Sequence, residues 1–346
     1  MIRLAFFDSK EYDIRSFNSH IDSSKYLIKY FDVRLNEDTA KLANGYDAVI
    51  AFVNDTLSNA VIDELADYGI KVIFLRCAGF NNVNLTECFK KNIHVYRVPA
   101  YSPYAVAEHA MALLLTINRR IHKAYNRTRE YNFSLENLGG FDLNEKTVGV
   151  IGTGKIGRVF IDICRGFHMN VLAYDPFPIP NSDYDYVSLD EIFEKSDIIS
   201  LHCPLTDETK HIINIESLSK MKKGVVIVNT SRGGLIDSKA LLESIKTRHV
   251  GAACLDVYEE ESDIFYSDRS NHILDDEILR SLISMPNVIV TSHQAFLTAE
   301  ALSNIASTTM SNVENFFFGD PNINNEVCYQ CGNQQNCKKK RNQKCF

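Results

Sequence analysis

Val150-Ile-Gly-Thr-Gly-Lys-Ile-Gly157 decides the fold once its flanks are read with it. Upstream, Lys146-Thr-Val-Gly-Val-Ile151 is an apolar segment of strand length, and downstream Arg158–Phe167 carries apolar residues at helical spacing. A second apolar run, Met169–Tyr174, ends in Asp175. Strand, glycine turn, helix, strand and acid form the order that binds a dinucleotide. Gly152 permits the tight turn, Gly154 lets the backbone approach a pyrophosphate, and Gly157 lets the helix close on the sheet. The free N–H groups at the helix start then face the negative phosphates. A bare GxGxxG also occurs in ordinary turns; the flanking elements and the terminal acid make this one specific. Asp175 can accept hydrogen bonds from both ribose hydroxyls and repels a 2′-phosphate. The following Pro176-Phe-Pro-Ile-Pro180 offers no cation for that phosphate, so NAD is favoured over NADP.

A chain of 346 residues is long enough for two domains with separate cores. Hydrophobic residues make up 45% and charged residues 23%, the balance of a globular protein. A net charge of −7 speaks against nucleic acid or an acidic membrane as partner. Met1-Ile-Arg-Leu-Ala-Phe-Phe7 runs straight into Asp8 and Lys10, which does not read as a signal peptide. The apolar run Ala105–Ile117, interrupted by Glu108 and His109, is too short to span a bilayer. A cytoplasmic protein is therefore expected. Of nine cysteines, Cys77, Cys88, Cys164, Cys203 and Cys254 lie in apolar segments and read as small buried hydrophobes.

Strand-like and helix-like segments alternate along the chain, which predicts an α/β fold with two doubly wound parallel sheets. In the first part the strands read Ile2–Phe7, Ala48–Val53, Val72–Cys77 and His94–Val98, with helical Asn59–Tyr68 among them. After the helix around Ala105–Ile117 and a polar loop containing Gly139-Gly140, the dinucleotide unit begins. Its later strands read Asp197–His202, Gly224–Thr230, Val250–Val257 and Asn287–Ser292, and a helix over Thr298–Phe318 returns the chain to the first domain. The expected organisation is a discontinuous flavodoxin-like substrate domain, 1–100 with 296–327, and a Rossmann NAD-binding domain, 101–295. A basic, cysteine-rich tail, 328–346, follows. Its Cys328, Cys331, Cys337 and Cys345 are read as a disordered segment with inert thiols, the alternative being a zinc knuckle; no metal site is assigned. Lys338-Lys-Lys-Arg341 reads as a solvated charge run, and the basic stretch from Arg119 to Arg129 as an exposed or interface helix.

In open α/β sheets chemistry gathers beyond the carboxyl ends of the strands. Three such ends carry reactive groups. Val228-Asn-Thr-Ser-Arg232-Gly-Gly presents a guanidinium whose planar fork can grip a carboxylate, or a surface arginine in a turn. Leu255-Asp256-Val-Tyr-Glu-Glu-Glu261 presents an acid beside three glutamates that local reading cannot rank. Val290-Thr-Ser-His293 presents an imidazole suited to proton transfer, or one that only satisfies local hydrogen bonds.

These segments, with Phe52-Val-Asn-Asp55, Arg76-Cys-Ala-Gly-Phe-Asn-Asn82, Val98-Pro-Ala-Tyr-Ser-Pro103, Asn118-Arg-Arg-Ile-His122, Asn132-Phe-Ser-Leu135 and His293-Gln-Ala-Phe-Leu-Thr-Ala-Glu-Ala301, resemble the D-isomer-specific 2-hydroxyacid dehydrogenases, in their D-lactate dehydrogenase branch. The resemblance covers roughly residues 1–327. It implies reduction of a 2-oxo acid, pyruvate first, to a D-hydroxy acid with NADH. Arg232 would anchor the substrate, His293 would donate the proton, and Glu261, rather than Glu259 or Glu260, would be its paired acid. Ala78 and Gly79 would hold the substrate carboxylate, Tyr101 and Phe296 would line the pocket, and Phe296 is equally readable as core packing. Along the cofactor the resemblance points to Lys155, Ile156, Cys203, Pro204, Thr230 and Asp256 besides the glycines and Asp175. A homodimer is implied as well. Glyoxylate or hydroxypyruvate reduction is the alternative within the family, and an NADH-sensing corepressor is the alternative of another class.

Overall fold

The burial pattern of the strands explains the architecture. Ala48–Ala51, Val72–Leu75, Ile198–Leu201 and Val225–Asn229 are buried at every residue, which a strand tolerates only when both sheet faces are covered. Helices between consecutive parallel strands supply that cover. The computed structural model describes residues 1–261, 264–320 and 324–329. The chain divides into two units, Met1–Ser102 with Thr298–Phe346, and Pro103–Leu297.

In the first unit the strands β1 (Ile2–Phe6), β2 (Tyr26–Tyr30), β3 (Ala48–Ala51), β4 (Val72–Leu75) and β5 (His94–Tyr96) pair in parallel, with α2 (Asn59–Asp67) between β3 and β4 and α3 (Leu85–Lys90) between β4 and β5, and β13 (Glu326–Val327) closes one edge. The sheet order is β13-β5-β4-β3-β1-β2, the flavodoxin-like arrangement with one added strand. That strand runs antiparallel to β5, with Tyr96 opposite Glu326. A long helix, α11 (Ala299–Phe318), capped by Thr298 Oγ1 on Ala301 N, carries the chain back and packs against α1 (Glu11–Asn18) and β4.

The second unit is a seven-stranded parallel sheet made of β6 (Thr147–Ile151), β7 (Asn170–Tyr174), β8 (Asp185–Tyr186), β9 (Ile198–Leu201), β10 (Val225–Asn229), β11 (Val250–Leu255) and β12 (Val288–Val290), in the order β12-β11-β10-β9-β6-β7-β8. Chain order reverses between β6 and β9, the switch point of a Rossmann sheet. One face is covered by α4 (Pro103–Asn118) and α6 (Lys155–Gly166), which share a core with Val148, Val150, Ile198, Val228 and Cys254. The other is covered by α7 (Leu189–Lys195), α8 (Ile215–Lys220), α9 (Ser238–Lys246) and α10 (Glu277–Ser284). Arg120, at φ +52°, breaks α4 from α5 (Ile121–Arg129), and no residue of α5 is buried. Tyr131, Phe133 and Leu135 follow it with 86%, 71% and 82% of their surface exposed.

The expected tail begins at Cys328. Cys328, directly after β13, is buried, and the Tyr329 ring lies 4.8 Å from that of Phe89, so the packed structure extends through these two residues. Cys331, Cys337, Cys345 and Lys338–Arg341 fall outside the described residues. Cys77, Cys88, Cys164, Cys203 and Cys254 are buried thiols. Among the described residues no helix is long and apolar enough to cross a membrane, and no cluster of metal-ligating side chains forms.

Candidate active site

Strand register sets out the site before any side chain is considered. Tyr174 of β7 pairs with Ile151 of β6, Ile151 with Leu201 of β9, and Leu201 with Asn229 of β10. Asn229 pairs with Leu255 of β11, and Leu255 with Val290 of β12. One row of backbone thus crosses six strands and ends them together. Just beyond it the chain emerges at Asp175, Gly152, Cys203, Thr230, Asp256 and His293, all on one edge of the second unit.

At the switch point Gly152 adopts φ +101°, and a Cβ there would come within 2.6–2.7 Å of the His202–Cys203 backbone. Only glycine fits on both counts. At Gly157 a Cβ would strike the Gly152 carbonyl, so this glycine seats α6 against the turn. Gly154 faces open space, and no side chain caps α6, whose first residues Lys155 and Ile156 carry unshared N–H groups. Asp175 Oδ2 accepts from Thr153 N (2.8 Å) and Thr153 Oγ1 (3.1 Å), and Oδ1 accepts from Phe177 N (2.9 Å). The carboxylate is held in place and keeps lone pairs for further donors. Among the described residues Thr230 Oγ1 has no hydrogen-bond partner, and it is buried. Cys203 is buried and Pro204 exposed at the end of β9. A free helix start, glycine-lined space, an anchored acid and an orphaned hydroxyl suit a dinucleotide without a 2′-phosphate.

Beyond β10, in the middle of the row, Arg232 precedes a tight turn. Asn229 Nδ2 donates to the Arg232 carbonyl at 2.8 Å, and Arg232 Nη1 donates to Ser231 O at 2.7 Å. A Cβ on Gly233 would lie 2.0 Å from the Tyr258 carbonyl carbon, so the arginine turn presses against the loop that leads to Glu261. His293 Nδ1 lies 2.7 Å from Glu261 Oε1, both largely buried. Glu261 Oε2 accepts from Tyr258 N at 2.9 Å, so each carboxylate oxygen is committed. Glu259 instead pairs with His211. The structure therefore separates the glutamates that local sequence left unranked.

Asp256, expected along the cofactor, stands directly after β11. It is fully buried, and its oxygens accept from Thr291 Oγ1 (2.6 Å), Gln294 N (2.9 Å) and Ala295 N (2.9 Å), with His109 Nε2 at 3.3 Å. Burial opposes its ionisation, but the bonds from His109, Thr291, Ala295 and Gln294 outweigh that and hold the carboxyl below its usual value. It organises the loop that carries His293. His109 had a visible signal, as a histidine interrupting an apolar helix. Tyr266 had none: its hydroxyl donates to the His293 carbonyl at 2.9 Å and its ring lies 5.9 Å from the imidazole. Phe296 is buried.

Ala78, Gly79 and Tyr101 belong to the first unit. Among the described residues, the N–H groups of Ala78 and Gly79 donate to no protein acceptor. Tyr101 is half-buried, and its carbonyl accepts from Asn304 Nδ2 at 2.7 Å.

A Rossmann sheet with an acid at its second strand and an imidazole–carboxylate pair at its far end defines an NAD-dependent oxidoreductase. Comparison with known proteins narrows the class. Residues 111–295 match the D-isomer specific 2-hydroxyacid dehydrogenase, NAD binding domain family. The chain is 51% identical over 315 residues to a 2-hydroxyacid dehydrogenase homolog of Haemophilus influenzae, covering 90% of this chain and 95% of that protein. It is 49% identical over 322 residues to the D-lactate dehydrogenase of Escherichia coli, covering 92% and 98%. A solved structure of the pyruvate reductase of Chlamydomonas reinhardtii superposes with a TM-score of 0.86 at 43% identity, covering 91% and 96%. The chain belongs to the D-isomer specific 2-hydroxyacid dehydrogenases.

Proposed function

We propose that this enzyme is a D-lactate dehydrogenase that reduces pyruvate, with Arg232, Glu261 and His293 as its catalytic set. The observation that carries the reading is the 2.7 Å His293–Glu261 pair, on the same sheet edge as the dinucleotide turn. NAD in its reduced form would supply a hydride to the carbonyl carbon of the oxo acid. Gly152, Gly154, Gly157 and the start of α6 would hold its pyrophosphate, and Asp175 its ribose. Arg232 grips the substrate carboxylate and stabilises negative charge developing on the ketone oxygen. His293 gives its Nε2 proton to that oxygen, while Glu261 accepts from Nδ1 and so fixes the ring. Ala78 and Gly79 offer N–H donors to the carboxylate, and Tyr101 and Phe296 favour a small apolar substituent.

The proposal includes a cytoplasmic homodimer. Exposed rings and an exposed leucine after the wholly unburied α5 support self-association through that region. The test of function is NADH oxidation with pyruvate, phenylpyruvate, hydroxypyruvate and glyoxylate in parallel, with chiral analysis of the product. Fast conversion of pyruvate to D-lactate is expected. Preference for glyoxylate or hydroxypyruvate would reassign the pocket, and tight NADH binding without turnover would leave a nucleotide-sensing protein.

A further inference from the structure

We propose that Arg97 is a positioning residue for substrate binding, one that acts through the Ala78–Gly79 peptide. The inference rests on the reading that this turn receives the substrate carboxylate. Its own support lies wholly within the first unit. Arg97 Nη1 donates to the Ala78 carbonyl at 2.7 Å, and its guanidinium carbon lies 5.2 Å from the centre of the Phe80 ring. The arginine thus grips the turn on both sides of Gly79.

The neighbouring carbonyls are committed as well. Cys77 O accepts from Val98 N at 3.1 Å, and Gly79 O lies 3.3 Å from Cys77 Sγ. Every carbonyl from 77 to 79 is thereby drawn to protein, and the N–H groups of Ala78 and Gly79 are the donors left over. Ala78 C=O and Gly79 N–H belong to one planar trans peptide, so they point in opposite directions. Fixing the carbonyl with Arg97 therefore aims the Gly79 N–H. A cation on the carbonyl oxygen also polarises that amide and makes its N–H a stronger donor to an anion.

Arg97 is itself held by its backbone. Its N–H donates to Asn325 O at 2.9 Å, its carbonyl accepts from Asn312 Nδ2 at 3.1 Å, and Asn325 Nδ2 donates to Asn312 Oδ1 at 2.8 Å. The guanidinium therefore leaves from a fixed origin.

The experiment compares wild-type enzyme with Arg97→Gln and Arg97→Lys. Steady-state kinetics are run on pyruvate and on pyruvamide, which lacks the carboxylate, and affinity for NADH is measured by its fluorescence. Arg97→Gln is expected to raise the KM for pyruvate by about ten- to a hundredfold, the loss of one charge-assisted bond, with a much smaller change in kcat. Its NADH affinity and its performance on pyruvamide should stay near wild type. Arg97→Lys, which keeps a cation and one donor, should recover part of the loss. An unchanged KM in a folded Gln variant would overturn the proposal, as would an equal loss on pyruvate and pyruvamide. If the Gln variant fails to bind NADH, the Lys variant decides on the same criteria. A wild-type enzyme that reduces pyruvate but does not distinguish it from pyruvamide would instead remove the carboxylate reading of the turn, and the role of Arg97 with it.

Discussion

His293 has φ +53°, a left-handed backbone that costs a β-carbon residue roughly 1–2 kcal/mol. Three bonds offset it: His293 N to Asp256 O at 2.7 Å, Tyr266 Oη to His293 O at 2.9 Å, and Nδ1 to Glu261. Replacing Arg232 by Lys keeps the charge but loses the fork, and kcat/KM for the oxo acid is expected to fall by a factor equivalent to about 2–4 kcal/mol. Asp256→Asn faces one of three N–H or O–H donors with a donor of its own, so a loss of about 1–3 kcal/mol is expected from urea denaturation at neutral pH. The sign with pH follows from the depressed carboxyl of Asp256. Its stabilisation is present above the unfolded value near 4 and is lost as pH falls through the lower folded value, so the gap between wild type and variant should close only in strong acid. Asp55 behaves in the opposite way. Burial pushes it up to about 7, against hydrogen bonds from Phe52 N and Leu35 N. Its contribution is full below about pH 4 and fades as pH rises through 7, so the advantage of wild type over Asp55→Asn should shrink across that range.

At the scale of elements, the arginine turn and the glutamate loop are coupled through one glycine. Gly233→Ala would push a methyl group into the Tyr258 carbonyl and displace both Arg232 and the approach to Glu261. Turnover in that variant should fall far more than its denaturation midpoint, measured on the same preparation. Strands were legible where burial leaves continuous apolar runs: β1, β3, β4, β6, β9, β10 and β11 all lie inside the stretches expected for them. Three were not anticipated. In β2 only Tyr26 is buried and Leu27 and Lys29 are exposed, the alternation of an edge strand. The two-residue strands β8 and β13 owe their existence to distant partners, and no local pattern announces them. The site followed the same rule. Arg232, His293 and the glycine turn stand at strand ends that the apolar runs mark, whereas Arg97, Tyr266 and Thr153 act through long-range bonds that one-dimensional spacing does not carry.

For the whole molecule, self-association is the property most open to direct test. Phe133→Asp combined with Leu135→Asp places charges on two of the most exposed apolar side chains, outside both sheets. Sedimentation is expected to show wild type at twice the mass of the double variant at micromolar concentration, with NADH binding by the variant intact. A wild-type chain already sedimenting as a monomer would remove the dimer from the proposal. The discontinuity of the first unit has a consequence for biosynthesis. Residues 103–297 form a contiguous unit, free to fold while the ribosome is still at work. The backbone of Arg97 waits for Asn312 and Asn325, made more than two hundred codons later. A nascent chain stalled before those asparagines emerge would hold a dinucleotide well before it could orient an oxo acid.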